Sequence, residues 1–151
     1  MRRFVCNNED QTRALGSAFS RILKPGDLVG LNGDLGAGKT FICKEMIKAL
    51  GVEDEVTSPS YTIMNEYGSV YHFDVYRLND IEEMYEIGYE EFFFSDGMCF
   101  VEWSDEVASL LPDAYFRIEM TLGDDLGQRI VEIKGTSQAF DQRLEEIKWL
   151  F

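Results

Sequence analysis

A chain of 151 residues, 45% hydrophobic and 13% aromatic, has the length of one domain, taken as residues 1–151, and enough apolar content to bury a core, which excludes a disordered polymer. Its 28 acidic against 14 basic residues, a formal charge of −14, repel a phosphate backbone, so no direct binding of DNA is expected and RNA is not gripped by the chain alone. The same charge suits basic protein partners, or serves solubility only. No run of about 18 apolar residues is present to cross a membrane, and Met1-Arg2-Arg3-Phe4-Val5-Cys6-Asn7-Asn8 turns polar too soon for a signal peptide. A soluble cytoplasmic protein with no membrane association is expected. Cys6, Cys43 and Cys99 are odd in number and share no C-x-x-C spacing, so they are read as reduced, partly buried thiols.

Taken in order, residues 2–6 read as a short first strand. Asn8-Glu9-Asp10-Gln11 resembles a capping box, and Leu15, Ala18, Phe19, Ile22 and Leu23 follow on one helical face until Lys24-Pro25-Gly26 breaks it. Thr12, in the first turn, reads most simply as a solvated helix residue, although its place also suits a contact to a nucleotide base. Leu28-Val29-Gly30-Leu31 has the length and hydrophobicity of a buried parallel strand. After a glycine-rich octet, Ile42, Met46, Ala49 and Leu50 recur at helical spacing, and Gly51 stops the helix.

The segment Val56-Thr57-Ser58-Pro59-Ser60-Tyr61-Thr62 is a turn, since proline fixes φ and small hydroxyl residues bond to nearby backbone; it is also a candidate switch that reads a γ-phosphate. Residues 61–67 and 70–76 form two β-rich runs around Gly68-Ser69, a predicted hairpin. Asn79-Asp80 caps a helix over 81–87 that Gly88 ends, and residues 89–94, with three consecutive phenylalanines, read as core or a docking edge. A further apolar strand, Met98-Cys99-Phe100-Val101, runs into Glu102-Trp103. Residues 104–110 read as one short capped helix, residues 115–122 and 128–134 as a hairpin, and 137–151 as an amphipathic helix with Phe140, Leu144, Ile147 and Phe151 on one face, which closes the core or, as the less favoured alternative, docks on a partner. The fold class expected is α/β: a P-loop NTPase-like single domain whose mixed, mostly parallel central sheet is flanked by helices, with β-hairpin additions.

The octet Gly33-Asp34-Leu35-Gly36-Ala37-Gly38-Lys39-Thr40 joins a strand to a helix, the context in which G-x-x-x-x-G-K-[ST] binds phosphate. Glycines free successive backbone N–H groups to turn on one anion, and the helix N-terminus adds attraction. Gly33 begins the tight turn, Gly36 and Gly38 let backbone approach, Lys39 neutralises β- and γ-phosphates, and Thr40 offers a hydroxyl to Mg²⁺. Two apolar strands each deliver a carboxylate, Asp74 and Glu102, to the edge where open α/β sheets bind ligands. Together they point to metal-assisted phosphoryl transfer, and the strand pattern does not choose which of the two holds the metal. His72, the one histidine, reads as packing or hydrogen bonding, and Arg77 as a partner of phosphate or of a nearby carboxylate.

These residues resemble the TsaE (YjeE) family, small bacterial ATPases needed for threonylcarbamoyladenosine in tRNA. The matching pieces are the octet, Thr57-Ser58-Pro59-Ser60-Tyr61-Thr62, His72-Phe73-Asp74-Val75-Tyr76-Arg77 and Glu102-Trp103, in the family's order over residues 27–103. The resemblance implies that Gly36, Ala37, Gly38, Lys39 and Thr40 bind ATP phosphates, that Thr40 and Glu102 hold Mg²⁺, and that Asp74 serves hydrolysis. It also implies a switch-like loop contributing Thr57 and Ser60, Trp103 beside the nucleotide, and looser nucleotide contacts from Thr12, Phe41 and Arg129. Ser60 stands where threonine is usual and Phe41 where a small polar residue is common. The implied partners are TsaD and TsaB homologues, through which an acidic protein would serve tRNA. A small-molecule kinase is disfavoured because no basic cluster lies beyond the loop, and a nucleotide-binding adapter without functional turnover is the other alternative. No N-K-x-D element is present, so ATP is expected over GTP.

Overall fold

The strand entering the phosphate loop is wholly apolar apart from Asn32, and it lies at the centre of the sheet. In the computed structural model, which describes residues 1–59 and 62–151, the strands are β1 (Arg2–Cys6), β2 (Leu28–Gly33), β3 (Met64–Tyr67), β4 (Val70–Asp74), β5 (Met98–Glu102), β6 (Phe116–Leu122) and β7 (Arg129–Gly135). They form one seven-stranded sheet in the order β1-β7-β6-β2-β5-β4-β3. The four inner strands β6, β2, β5 and β4 run parallel, while β1, β7 and β3 add antiparallel edges. The fold is therefore the expected α/β architecture, mixed at its edges and parallel at its centre.

The helices are α1 (Glu9–Ser20), α2 (Lys39–Ala49), α3 (Glu82–Glu86), α4 (Glu90–Phe93) and α5 (Gln138–Arg143). Helix α1 starts as its sequence dictates: Asn8 Oδ1 accepts from the Gln11 N–H, and Gln11 Oε1 accepts from the Asn7 N–H. Alternation along β4 and β5 sends Val70 and Phe100 into a core shared with α1 and α2, where Leu15, Phe19, Ile42 and Met46 are buried. The opposite parity, Phe73, Val75, Cys99 and Val101, packs under α3 and α4 with Met84 and Phe93. Among the described residues no helix is long and apolar enough to cross a membrane, and the three cysteines are free and buried.

Several expectations need correction. The hairpin strands are shorter than read, beginning at Met64 and ending at Asp74. Residues Ser104–Leu110 form a 3₁₀ helix broken at Val107, and Ser104 does not cap it. The Ser104 hydroxyl is instead engaged by Asn32, whose Nδ2 donates to it at 2.9 Å. The tail begins as predicted, with the Ser137 hydroxyl accepting from the Phe140 N–H, yet α5 stops at Arg143 and a 3₁₀ turn, Leu144–Glu146, follows. There the Arg2 guanidinium takes the carbonyls of Leu144 and Ile147 (2.9 and 3.0 Å), and the Trp149 indole donates to Gln11 O. Phe140, Leu144 and Ile147 join the core, whereas Phe151 is exposed.

Candidate active site

Gly33, in a left-handed conformation at φ 137°, ends β2 so close to β6 that a Cβ there would lie 2.2 Å from Met120 O. The chain then turns through Gly36 (φ 84°) and Gly38 (φ 105°) into α2, conformations that favour glycine. Ala37 is fully buried, and its carbonyl accepts from Arg129 Nε at 2.8 Å, so β7 braces the loop. Lys39 folds back over the turn, its Nζ donating to Gly33 O (2.6 Å) and Asp34 O (2.8 Å) and lying 4.0 Å from the centre of the Trp103 ring. Burial lowers its pKa from the ordinary lysine value, against the attraction of Glu102, Asp34 and Asp74.

The parallel register aligns Leu31, Glu102 and Asp74 across β2, β5 and β4, so both carboxylates stand at the strand ends beside the loop. The Thr40 hydroxyl donates to Glu102 Oε1 at 2.5 Å. Glu102 is buried, and its Oε2 meets His72 Nε2 at 2.6 Å. A hydroxyl and a carboxylate paired at the first turn of α2 are hard oxygen donors that suit Mg²⁺. Asp74 is only partly buried; its Oδ1 accepts from the Tyr76 N–H, and desolvation raises its pKa above the usual carboxylate value, with nearby Glu102 adding to the shift.

A cleft of about 560 Å³ opens at these groups, lined by Gly36, Gly38, Lys39, Thr40, Asp74 and Glu102 together with Leu35, Phe41, Ser58, Tyr76, Arg77 and Trp103. Trp103 adopts φ 63°, unusual for a bulky residue, and stacks on Tyr76 with ring centres 4.8 Å apart. On the other side of Gly38 and Phe41 lies a smaller cavity of about 80 Å³, lined also by Glu9, Thr12, Met120, Gly127 and Arg129. Thr12 is thus a buried residue facing that cavity and not a solvated one, because α1 packs directly against α2.

The structure brings together Lys39, Thr40, Asp74, Glu102 and Trp103, with Thr12, Phe41 and Arg129 grouped behind the loop. Thr57 is held elsewhere: the Asn65 amide donates to its carbonyl and the Thr57 N–H donates to the Tyr67 hydroxyl, so its neighbour Ser58 lines the cleft instead. Ser60 lies outside the described residues. Ser58 belongs to the candidate switch segment, whereas sequence reasoning did not single out Tyr76 as a cleft residue; it sits two places after Asp74, and that spacing was the available signal.

A model of the family described as threonylcarbamoyl adenosine biosynthesis protein TsaE matches residues 6–131. The tRNA threonylcarbamoyladenosine biosynthesis protein TsaE of Rickettsia bellii is 40% identical over 126 residues, covering 80% of this chain and 87% of that protein. The Bacillus subtilis protein of the same name is 35% identical over 145 residues, 93% of this chain and 89% of its own length. The crystal structure of Bacillus subtilis YdiB superposes with a TM-score of 0.82 at 30% identity, over 97% of this chain and 93% of that one. The matched stretch takes in the phosphate loop, both carboxylates, Thr12 and Arg129, and so the chain belongs to the TsaE family.

Proposed function

We propose that the chain is a Mg²⁺-dependent ATPase that supports threonylcarbamoyladenosine modification of tRNA by acting on TsaD and TsaB homologues. The observation that carries this reading is the hydrogen bond from Thr40 to Glu102 at the first turn of α2, beside a glycine loop of phosphate-binding form. Backbone N–H groups of residues 36–40 would receive the β- and γ-phosphates, and Lys39 would exchange its bonds to Gly33 O and Asp34 O for phosphate oxygens. Thr40 and Glu102 would hold Mg²⁺, which when bound supplies neutralisation of charge on the transferring phosphoryl group. Asp74 orients a water for attack on the γ-phosphorus and accepts its proton; a carboxylate with raised proton affinity suits that role. Trp103 and Tyr76 wall the cleft on one side, and Thr12, Phe41 and Arg129 offer a place for the nucleoside behind the loop.

A net charge of −14 is a poor grip for tRNA, which fits action through partner proteins in the cytoplasm. The test is phosphate release from ATP with Mg²⁺, for the chain alone, with TsaB and TsaD homologues, and for Lys39→Ala. Turnover that rises sharply with the partners and vanishes in the variant is expected. Bound ATP with no turnover under any condition would overturn the ATPase reading in favour of an adapter, and transfer to a metabolite would establish a kinase.

A further inference from the structure

We infer that His72 is a positioning residue: its imidazole holds Glu102 from behind so that the other carboxylate oxygen faces Thr40 and the cation. The inference rests on the Mg²⁺–nucleotide reading above. On paired parallel strands, His72 lies opposite Phe100 and Asp74 opposite Glu102, so His72 is the diagonal neighbour of Glu102 on the face that packs under α2. Its Nε2 meets Glu102 Oε2 at 2.6 Å while Glu102 Oε1 accepts from Thr40 at 2.5 Å. The carboxylate is thereby gripped at both oxygens, and because it is an acceptor, Nε2 carries the proton.

Two further observations separate this arrangement from incidental packing. His72 and Glu102 are 0% and 1% exposed, so water cannot replace a lost contact. Nδ1 of His72 has no hydrogen-bond partner among the described residues, which leaves the bond to Glu102 as the ring's polar anchor. Without His72, Oε2 would be stranded in apolar surroundings, and the carboxylate would regain a partner only by rotating away from Thr40.

The experiment measures ADP binding by calorimetry against Mg²⁺ concentration, and without metal, for the wild type, His72→Phe, His72→Gln and His72→Asn. The Gln amide nitrogen sits about as far from Cα as Nε2 does, whereas that of Asn reaches only as far as Nδ1. His72→Phe and His72→Asn are expected to raise the Mg²⁺ concentration for half-maximal binding by roughly 10–100-fold, with metal-free binding unchanged and His72→Gln close to wild type. Should His72→Phe fail to fold, the contrast between Gln and Asn decides. Wild-type Mg²⁺ dependence in folded His72→Phe or His72→Asn would overturn the proposal, as would an equal loss of metal-free binding. A wild type whose binding ignores Mg²⁺ overturns the underlying reading and this proposal with it. Metal-dependent binding without turnover would overturn only the ATPase reading, and the same shift would still support the role of His72.

Discussion

Asp74 stands partly buried at the strand end, where desolvation first and the like charge of Glu102 second disfavour its charged form against the one backbone N–H, of Tyr76, that supports it. A folded-state pKa raised above the unfolded value means that the protonated form favours folding: the stability it contributes is complete at pH values below 3.8 and is lost as pH rises through the elevated pKa. Asp74→Asn, neutral at all pH values, should therefore raise the thermal midpoint at pH 7 by roughly 1–2 °C, a small gain because the group is partly solvated, and the gain should disappear on acidification below pH 3.8. Phosphate release by the same variant should fall by roughly 10²–10⁴-fold with ATP still bound. Scanning calorimetry and a phosphate assay check both, and a variant that loses stability at neutral pH would refute the electrostatic account. Gly30 makes a purely steric prediction: a Cβ there would lie 2.3 Å from Ser104 Oγ and 2.8 Å from Ser104 Cβ. Gly30→Ala should cost roughly 1–3 kcal/mol in urea unfolding, and an unchanged midpoint would show that β2 and the 3₁₀ helix part freely. At this scale the strand-to-helix turn at the octet was legible because its constraint is local, with turn glycines, a lysine and a threonine in eight residues. The burial of Thr12, read most simply as solvated, and the hold of Asn65 on Thr57 were not legible, because packing of α1 on α2 and a side chain eight residues away decide where the two sit.

The start of α1 was legible from its own residues, whereas the end of α5, set by distant partners, was not. Asn8 and Gln11 set the start of α1 within four residues, and two apolar runs that each end in a carboxylate carried enough pattern to place Asp74 and Glu102 at one edge. The end of α5 was hidden, because Arg2 and Gln11, more than a hundred residues earlier, capture the carbonyls and the indole that terminate it. The same tail is locked by Arg143, whose guanidinium meets both oxygens of buried Asp27 (3.1 and 2.6 Å), donates to Ile22 O, and lies over the rings of Phe116 and Phe140 at 4.9 and 5.1 Å. Arg143→Ala should cost about 3–5 kcal/mol because it leaves Asp27 charged and buried. Pairing Arg143→Met with Asp27→Asn should cost less than the sum of the two single changes, which denaturant titration of the four proteins measures. Additive losses would mean that the tail is held by its apolar contacts alone.

For the whole molecule, 28 acidic side chains outnumber 14 basic ones in a 17.3 kDa chain, so self-repulsion opposes the compact state at low ionic strength. Its range follows the Debye length, about 30 Å at 0.01 M salt and about 8 Å at 0.15 M, so physiological salt removes most of the long-range repulsion between exposed carboxylates. The thermal midpoint is therefore expected to rise by a few degrees, on the order of 1 kcal/mol, between 0.01 and 0.15 M NaCl at pH 7. The Arg143–Asp27 pair belongs to another regime, since its side chains are only 14% and 7% exposed and buried pairs are screened little. The gap in midpoint between wild type and Arg143→Ala should then stay constant across the same salt series while both midpoints climb together. A gap that closes with salt would show the pair to be an exposed attraction and would remove the reason given for its large cost; a midpoint that falls with salt would show that local attractions, and not the excess negative charge, govern the stability of the fold.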